Sequence, residues 1–301
     1  MLRSWLLLAS LLCVTGTLFA AEHKSVKVGT SPESVCRGFG GKLYVTMING
    51  DEPGDGTIVA VDGEEVSVFA KGFNAPKGLV FVGQHLITAD ETTVWKVDAK
   101  GNATKLAEAK DFPAPIEFLN DVAPGKDGEC VYVSEMSTPT PMFDPSGERK
   151  LFGLDSAEAK ALPNKGCVYK ITLEGKVSLA VPSGNPLIRF PNGVAVGGTK
   201  EQERLFVGDF FTGEIVRYND GKYQTVANGP RGIDGLTVTK DHFFASSWIE
   251  GKVVKIDRKT KESKVLIDGL KSAADFFYDG KNQQLIVPDM LAGTLIFLPL
   301  E

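Results

Sequence analysis

Short apolar, β-branched runs recur along the chain at a nearly constant spacing, and each set opens with the same kind of small motif. The openings read PESV around Glu33, PKGL around Lys77, LNDV around Asn120, PNGV around Asn192, IDGL around Asp234 and AADF around Ala274. A second run follows each opening: LYVT from Leu43, LIT from Leu86, VYVS from Val131, LFV from Leu205, FFAS from Phe243 and LIV from Leu285. A third run is usually introduced by glycine, as in GTIVAV from Gly56 or GKVVKI from Gly251, and a fourth, such as VSLAV from Val177, closes the unit. Turn residues between runs of this length and composition predict strands joined by tight connections.

The spacing sets the architecture. Forty-four residues separate Glu33 from Lys77, 43 separate Lys77 from Asn120, 42 separate Asn192 from Asp234 and 40 separate Asp234 from Ala274. Four short strands at a period of roughly 40–45 residues are the signature of propeller blades. Six openings therefore predict an all-β, six-bladed β-propeller of four-stranded blades. The sixth unit ends without a fourth strand of its own, whereas SVKVG from Ser25 precedes the first opening as fourth strands precede later ones. The N-terminal strand is thus expected to complete the last blade, which ties the chain ends together and removes open sheet edges.

Composition narrows the setting. Residues 1–20 combine Arg3, an apolar run from Trp5 to Val14 and small residues before Ala20 and Ala21, the layout of a secretory signal peptide. The expectation is a cleaved leader at 1–20, a single propeller at 21–301 and a periplasmic or secreted product. No other segment is apolar over the length a bilayer requires, so no membrane span is expected. A net charge of −5, without clustered Lys/Arg among aromatics, argues against a nucleic-acid partner. Cys36, Cys130 and Cys167 remain after the leader. Cys130 and Cys167 open successive antiparallel strands and so fall at opposite ends of the hairpin, which disfavours a bridge. All three read as small buried hydrophobes.

Candidate chemistry gathers in the openings, which stand at the starts of the innermost strands and should converge near the axis on one face. The first column reads Glu33, Lys77, Asn120, Asn192, Asp234 and Ala274; the next contains Asp121 and Asp275. Asn, Asp and Gly are ordinary turn residues, but here matched positions carry different groups, as expected of a site divided among blades. Carboxylates and carboxamides together suit a hard divalent cation, Ca2+ above all. With Lys77 counted against Glu33, Asp121, Asp234 and Asp275, the ring has a formal charge of −3. Lys77 either orients or activates a reacting group, or braces the ring through an ion pair.

These motifs resemble, over essentially the whole mature chain, the calcium-dependent propeller superfamily of senescence-marker-protein/gluconolactonase (regucalcin-like) enzymes, related to paraoxonases and strictosidine synthase-like proteins. The resemblance implies a metal quartet of Glu33, Asn120, Asn192 and Asp234, with Asp234 also the general base for water and Asp121 and Asp275 as supporting acids. Two positions depart from the pattern. Regucalcin-like lactonases carry Arg where this chain has Phe118, and paraoxonases carry His where it has Lys77. The resemblance implies a calcium-dependent hydrolase of lactones or related esters, with Asp234 and Lys77 as the catalytic candidates. The alternative is a non-catalytic, NHL-like propeller that binds a protein, peptide or glycan on its motif face.

Seventy-two residues separate Asn120 from Asn192, and the excess, residues 137–165, falls between the second and third strands of blade three. A loop leaving the second strand emerges on the motif face, so this insertion should overhang the ring. Pro139, Met142, Phe143 and Phe152 favour a packed lid, and DSAEAKAL predicts a short helix capped by Asp155. Second strands also end in acids, Asp90, Glu135, Asp209 and Asp289. Such residues either draw cations to the mouth or cap the following turns.

Overall fold

The computed structural model describes residues 23–300. The leader expected at 1–20 lies outside the described residues. Six four-stranded antiparallel sheets stand around a common axis. The innermost strands are Pro32–Arg37, Leu79–Val82, Leu119–Pro124, Pro191–Gly198, Ile233–Val238 and Phe277–Asp279. In the sixth blade Lys24–Lys27 pairs antiparallel with Thr294–Pro299, Lys24 opposite Phe297 and Lys27 opposite Thr294. The N-terminal strand therefore closes the ring as the repeat count predicts.

Burial falls with distance from the axis. Second strands such as Leu43–Met47 and Cys130–Glu135 are buried along their whole length, whereas most residues of the outer strands Val177–Val181 and Ser263–Ile267 are exposed or half-buried. Near the axis both faces of a blade press on neighbours, so most positions are apolar and the polar ones are buried with them; at the rim the blades diverge. Each seam is filled by its own cluster. Ile58 meets Leu79 between blades one and two, Ile87 meets Val133 in the next seam, and Val168 meets Val207 after that. Phe206 joins Phe243, Phe244 joins Leu285, and Ile286 joins Val45 across the closure.

Cys36, Cys130 and Cys167 are buried free thiols. Cys130 pairs with Thr172 and Cys167 with Glu135, which confirms that the two thiols sit at opposite ends of their hairpin. Among the described residues no helix is long and apolar enough to cross a membrane.

The insertion after Glu135 is a packed lid. Met142, Leu151, Ala159 and Leu162 bury themselves against Met136, Phe190, Phe210 and Phe211. Three arginines pin it: Arg189 donates to the carbonyls of Ala159 and Leu162, Arg231 to that of Phe152, and Arg149 to that of Trp248. The short helix spans Ala157–Ala161, but its cap is Ser156, not Asp155. The Ser156 hydroxyl accepts the Ala159 amide at 3.1 Å, while Asp155 is exposed one residue too early to reach it.

Candidate functional site

Glu33, Asn120, Asn192 and Asp234 lie inside innermost strands, not in turns, and each sits on a β-bulge. Pro32 pairs with Met47 and Val35 with Val45, so Glu33 and Ser34 together oppose Thr46. The same extra residue recurs at Asn120 and Asp121 opposite Ser134, at Asn192 and Gly193 opposite Gly208, and at Asp234 and Gly235 opposite Ser246. A bulge leaves an amide without its ladder partner and re-aims a side chain. Second-strand hydroxyls accept those amides: Ser34 N to Thr46 Oγ1 and Asp121 N to Ser134 Oγ at 2.9 Å, Gly235 N to Ser246 Oγ at 2.8 Å. Sequence reasoning passed over Thr46, Ser134 and Ser246, although a hydroxyl at matched positions of LYVT, VYVS and FFAS was the available signal. None of the four bulge residues has a positive φ. Tolerance of left-handed backbone therefore does not explain their presence.

The second column stitches the blades together. Ser34 Oγ donates to Asp275 Oδ2 at 2.5 Å and accepts the Leu79 amide at 3.1 Å, linking blades six, one and two. Asp121 Oδ2 accepts the Val194 amide at 2.6 Å, joining blade three to four. At Gly78 a side chain would overlap the Val122 amide, and at Gly193 it would come within 2.5 Å of the Asp234 carbonyl. Glycine is needed there because strands approach backbone to backbone. Asp121 and Asp275 face a separate cavity of about 410 Å³ on the opposite side of this layer, lined otherwise mainly by Val35, Leu79, Val122, Val194, Leu236 and Phe276.

The quartet lines a smaller cavity of about 210 Å³ under the lid. All four side chains are at most 5 % exposed. Asn192 Nδ2 donates to Asp234 Oδ1 at 3.0 Å, and Asn120 Nδ2 points to Met136 Sδ at 3.5 Å. Both amide groups are thereby turned so that their oxygens are free. Glu33 Oε2, Asn120 Oδ1 and Asn192 Oδ1 are buried and accept no hydrogen bond. Leaving one such acceptor unmet costs about 1–3 kcal/mol, so three on one ring describe a surface shaped for an electropositive ligand. Among the described residues no three His, Cys, Asp or Glu side chains cluster as metal ligands. The ring has two carboxylates, and carboxamide oxygens complete it.

Electrostatics point the same way. Burial, then the nearby charges of Asp234 and Asp275, push Glu33 well above the usual carboxylate range. Burial and Asp275 raise Asp234 to about 8, and burial raises Asp275 to about 6. Burial also raises Asp121, with Asp275 adding to it. Of these acids Glu33 and Asp234 line the lidded cavity, and with Asn120 and Asn192 they are the residues there that could hold a divalent ion.

Lys77 does not brace the ring with an ion pair. Its Nζ donates to the Ala75 carbonyl at 2.9 Å and lies 4.3 Å above the Phe118 ring. Burial pulls its pKa down against the opposing pull of Glu33 and neighbouring acids.

The acids ending second strands are caps. Asp90 accepts the amides of Asn74 and Thr93, Glu135 those of Phe118 and Ser137, Asp209 those of Phe190 and Thr212, and Asp289 those of Lys271 and Ser272. Above the quartet, Phe143 of the lid, Phe210 and Trp248 form a triangle with ring centroids 6.4–6.5 Å apart. Ile48, Met136, Pro139 and Met290 complete the walls.

Fold and site together define a six-bladed propeller with an oxygen-lined axial site beneath a fixed lid. No family model matches the chain, and no curated protein matches it in sequence. Solved structures do. A gluconolactonase from Xanthomonas campestris superposes with a TM-score of 0.61 at 18 % identity, over 94 % of this chain and 99 % of that one. A chain from a nidogen/laminin complex superposes with a TM-score of 0.57 at 12 % identity, over 77 % of this chain and 78 % of that one. At such identities the likeness is one of fold.

Proposed function

We propose that this propeller is a calcium-dependent hydrolase of a small lactone or ester. The observation that carries the reading is the set of three partnerless buried oxygens, Glu33 Oε2, Asn120 Oδ1 and Asn192 Oδ1, beside Asp234 in one lidded cavity. Glu33, Asn120, Asn192 and Asp234 would hold the ion, which supplies polarisation of the substrate carbonyl and charge stabilisation at its oxygen. Asp234, oriented by the Asn192 amide, takes a proton from the attacking water. Lys77, held by the Ala75 carbonyl and the Phe118 face, presents a cation beside the reacting group. Pro139 and Phe143 of the lid cover part of this space. Similarity in fold to a gluconolactonase supports the reaction class.

A protein-binding scaffold uses a broad open face, whereas this motif face carries a recessed cavity of about 210 Å³ partly covered by Pro139 and Phe143 of the insertion. That geometry favours the enzyme over the scaffold.

The direct test is thermal unfolding of chelator-stripped protein titrated with calcium, beside Asn192→Ala. A melting point that climbs with calcium in wild type alone, together with calcium-dependent turnover of a lactone or aryl ester, supports the reading. An unchanged melting point in wild type removes the metal-dependent hydrolase.

A further inference from the structure

The polar groups of the lidded cavity are all on its floor. Apart from Glu33, Asn120, Asn192, Asp234 and Lys77, no side chain lining it bears a hydroxyl, carboxamide or charge. The two carboxamide nitrogens are already directed at Asp234 and Met136. The one indole donor in the roof, Trp248 Nε1, is directed at Met290 Sδ at 3.1 Å. What remains above the floor is carbon and thioether.

The roof is also fixed. Arg149 bonds the Trp248 carbonyl at 2.9 Å and stacks 5.0 Å from its ring. At the lid's two ends, Glu117 accepts from Ser137 and Thr138 on one side and from Lys165 on the other. These ties hold the apolar roof residues in place over the floor.

Resting on the hydrolase reading above, we propose that the substrate is a small lactone or ester with an apolar alkyl or aryl substituent. The substituent seats against Phe118, Phe143, Phe210 and Trp248, the carbonyl faces the floor, and polyhydroxylated sugar lactones are rejected. An apolar pocket discriminates against even one added hydroxyl by about 100-fold, and a sugar lactone brings several.

The experiment compares two uncleavable δ-lactams on calcium-loaded protein by titration calorimetry, one bearing a pentyl chain and the other the hydroxyl pattern of gluconolactam. The matching lactones are assayed for turnover in parallel. The pentyl lactam should bind at least about 100-fold more tightly. Phe143→Ala should cost it about 10-fold, with the calcium-induced melting shift read alongside to report an intact ring. Equal or tighter binding of gluconolactam overturns the inference, and so does binding of neither. Selective binding of the pentyl lactam without turnover of its lactone overturns the hydrolase reading alone and leaves the ligand class standing.

Discussion

Lys77 Nζ sits 4.3 Å above the ring of Phe118, so the cation beside the oxygen-lined ring rests on an aromatic face and pairs with no carboxylate within ion-pair distance. The two residues come from consecutive blades. A buried cation over a π face keeps part of its stabilisation without neutralising the acids around it, which leaves those acids available to a metal ion.

Removing that charge separates the two roles. Lys77→Met keeps the aliphatic stem on Phe118 but withdraws a positive charge that would compete with the proposed calcium ion. Calcium should bind about 10-fold more tightly, the scale of one pKa unit of interaction, while turnover of a lactone falls by at least about 10-fold. Calorimetry and steady-state kinetics on the same preparation check this; unchanged turnover takes Lys77 out of the reaction.

Asp234 is expected to be indispensable to chemistry but not to folding. Asp234→Ala removes a buried acid whose ionisation is disfavoured by burial and by Asp275. Its calcium-free melting point should not fall, whereas turnover should drop by about 10²–10⁴-fold. Circular dichroism melts and kcat measurements decide it, and retained activity removes Asp234 as the base.

Glu117 makes the lid sensitive to acid. Lys165, with Ser137 and Thr138, holds its carboxyl at about 2, below the ordinary 4.5. Because the folded value is depressed, the clamp contributes fully above the unfolded value and is lost as pH falls from about 4.5 through about 2. Trypsin at pH 7 should spare residues 137–165 in wild type and cut them in Glu117→Gln. Near pH 2, pepsin should cut both alike. Equal resistance of the two proteins at pH 7 would show that the clamp does not hold the lid.

Gly78 is a packing requirement at the axis. A methyl group there meets the backbone of Asp121 and Val122, which flexible side chains cannot relieve. Gly78→Ala should destabilise the fold by about 1–3 kcal/mol, measured by urea denaturation, whereas alanine at the exposed Gly54, where φ is positive and nothing lies within reach of a Cβ, tests backbone strain without overlap.

The strands, their grouping into six blades, the closure by residues 24–27 and the position of the insertion can all be read from the amino-acid order. These follow from local pattern: apolar runs and turn residues repeat within each unit, and the repeat is carried by neighbours a few positions apart. The column of Glu33, Asn120, Asn192 and Asp234 was legible for the same reason, since matched positions in successive units must face the same axis. That these residues stand on bulges, and that hydroxyls across the hairpin complete them, emerges from the folded chain. Folding also turns Asp121 and Asp275 toward another cavity, sets Lys77 over Phe118 and roofs the site with Phe143, Phe210 and Trp248. The hydroxyls reach across a single hairpin, but the other relationships join residues some 40 to more than 200 positions apart, and their partners are chosen by distances across the seams and the axis. Periodicity along the chain carries no information about such distances, because closing the ring is what creates them.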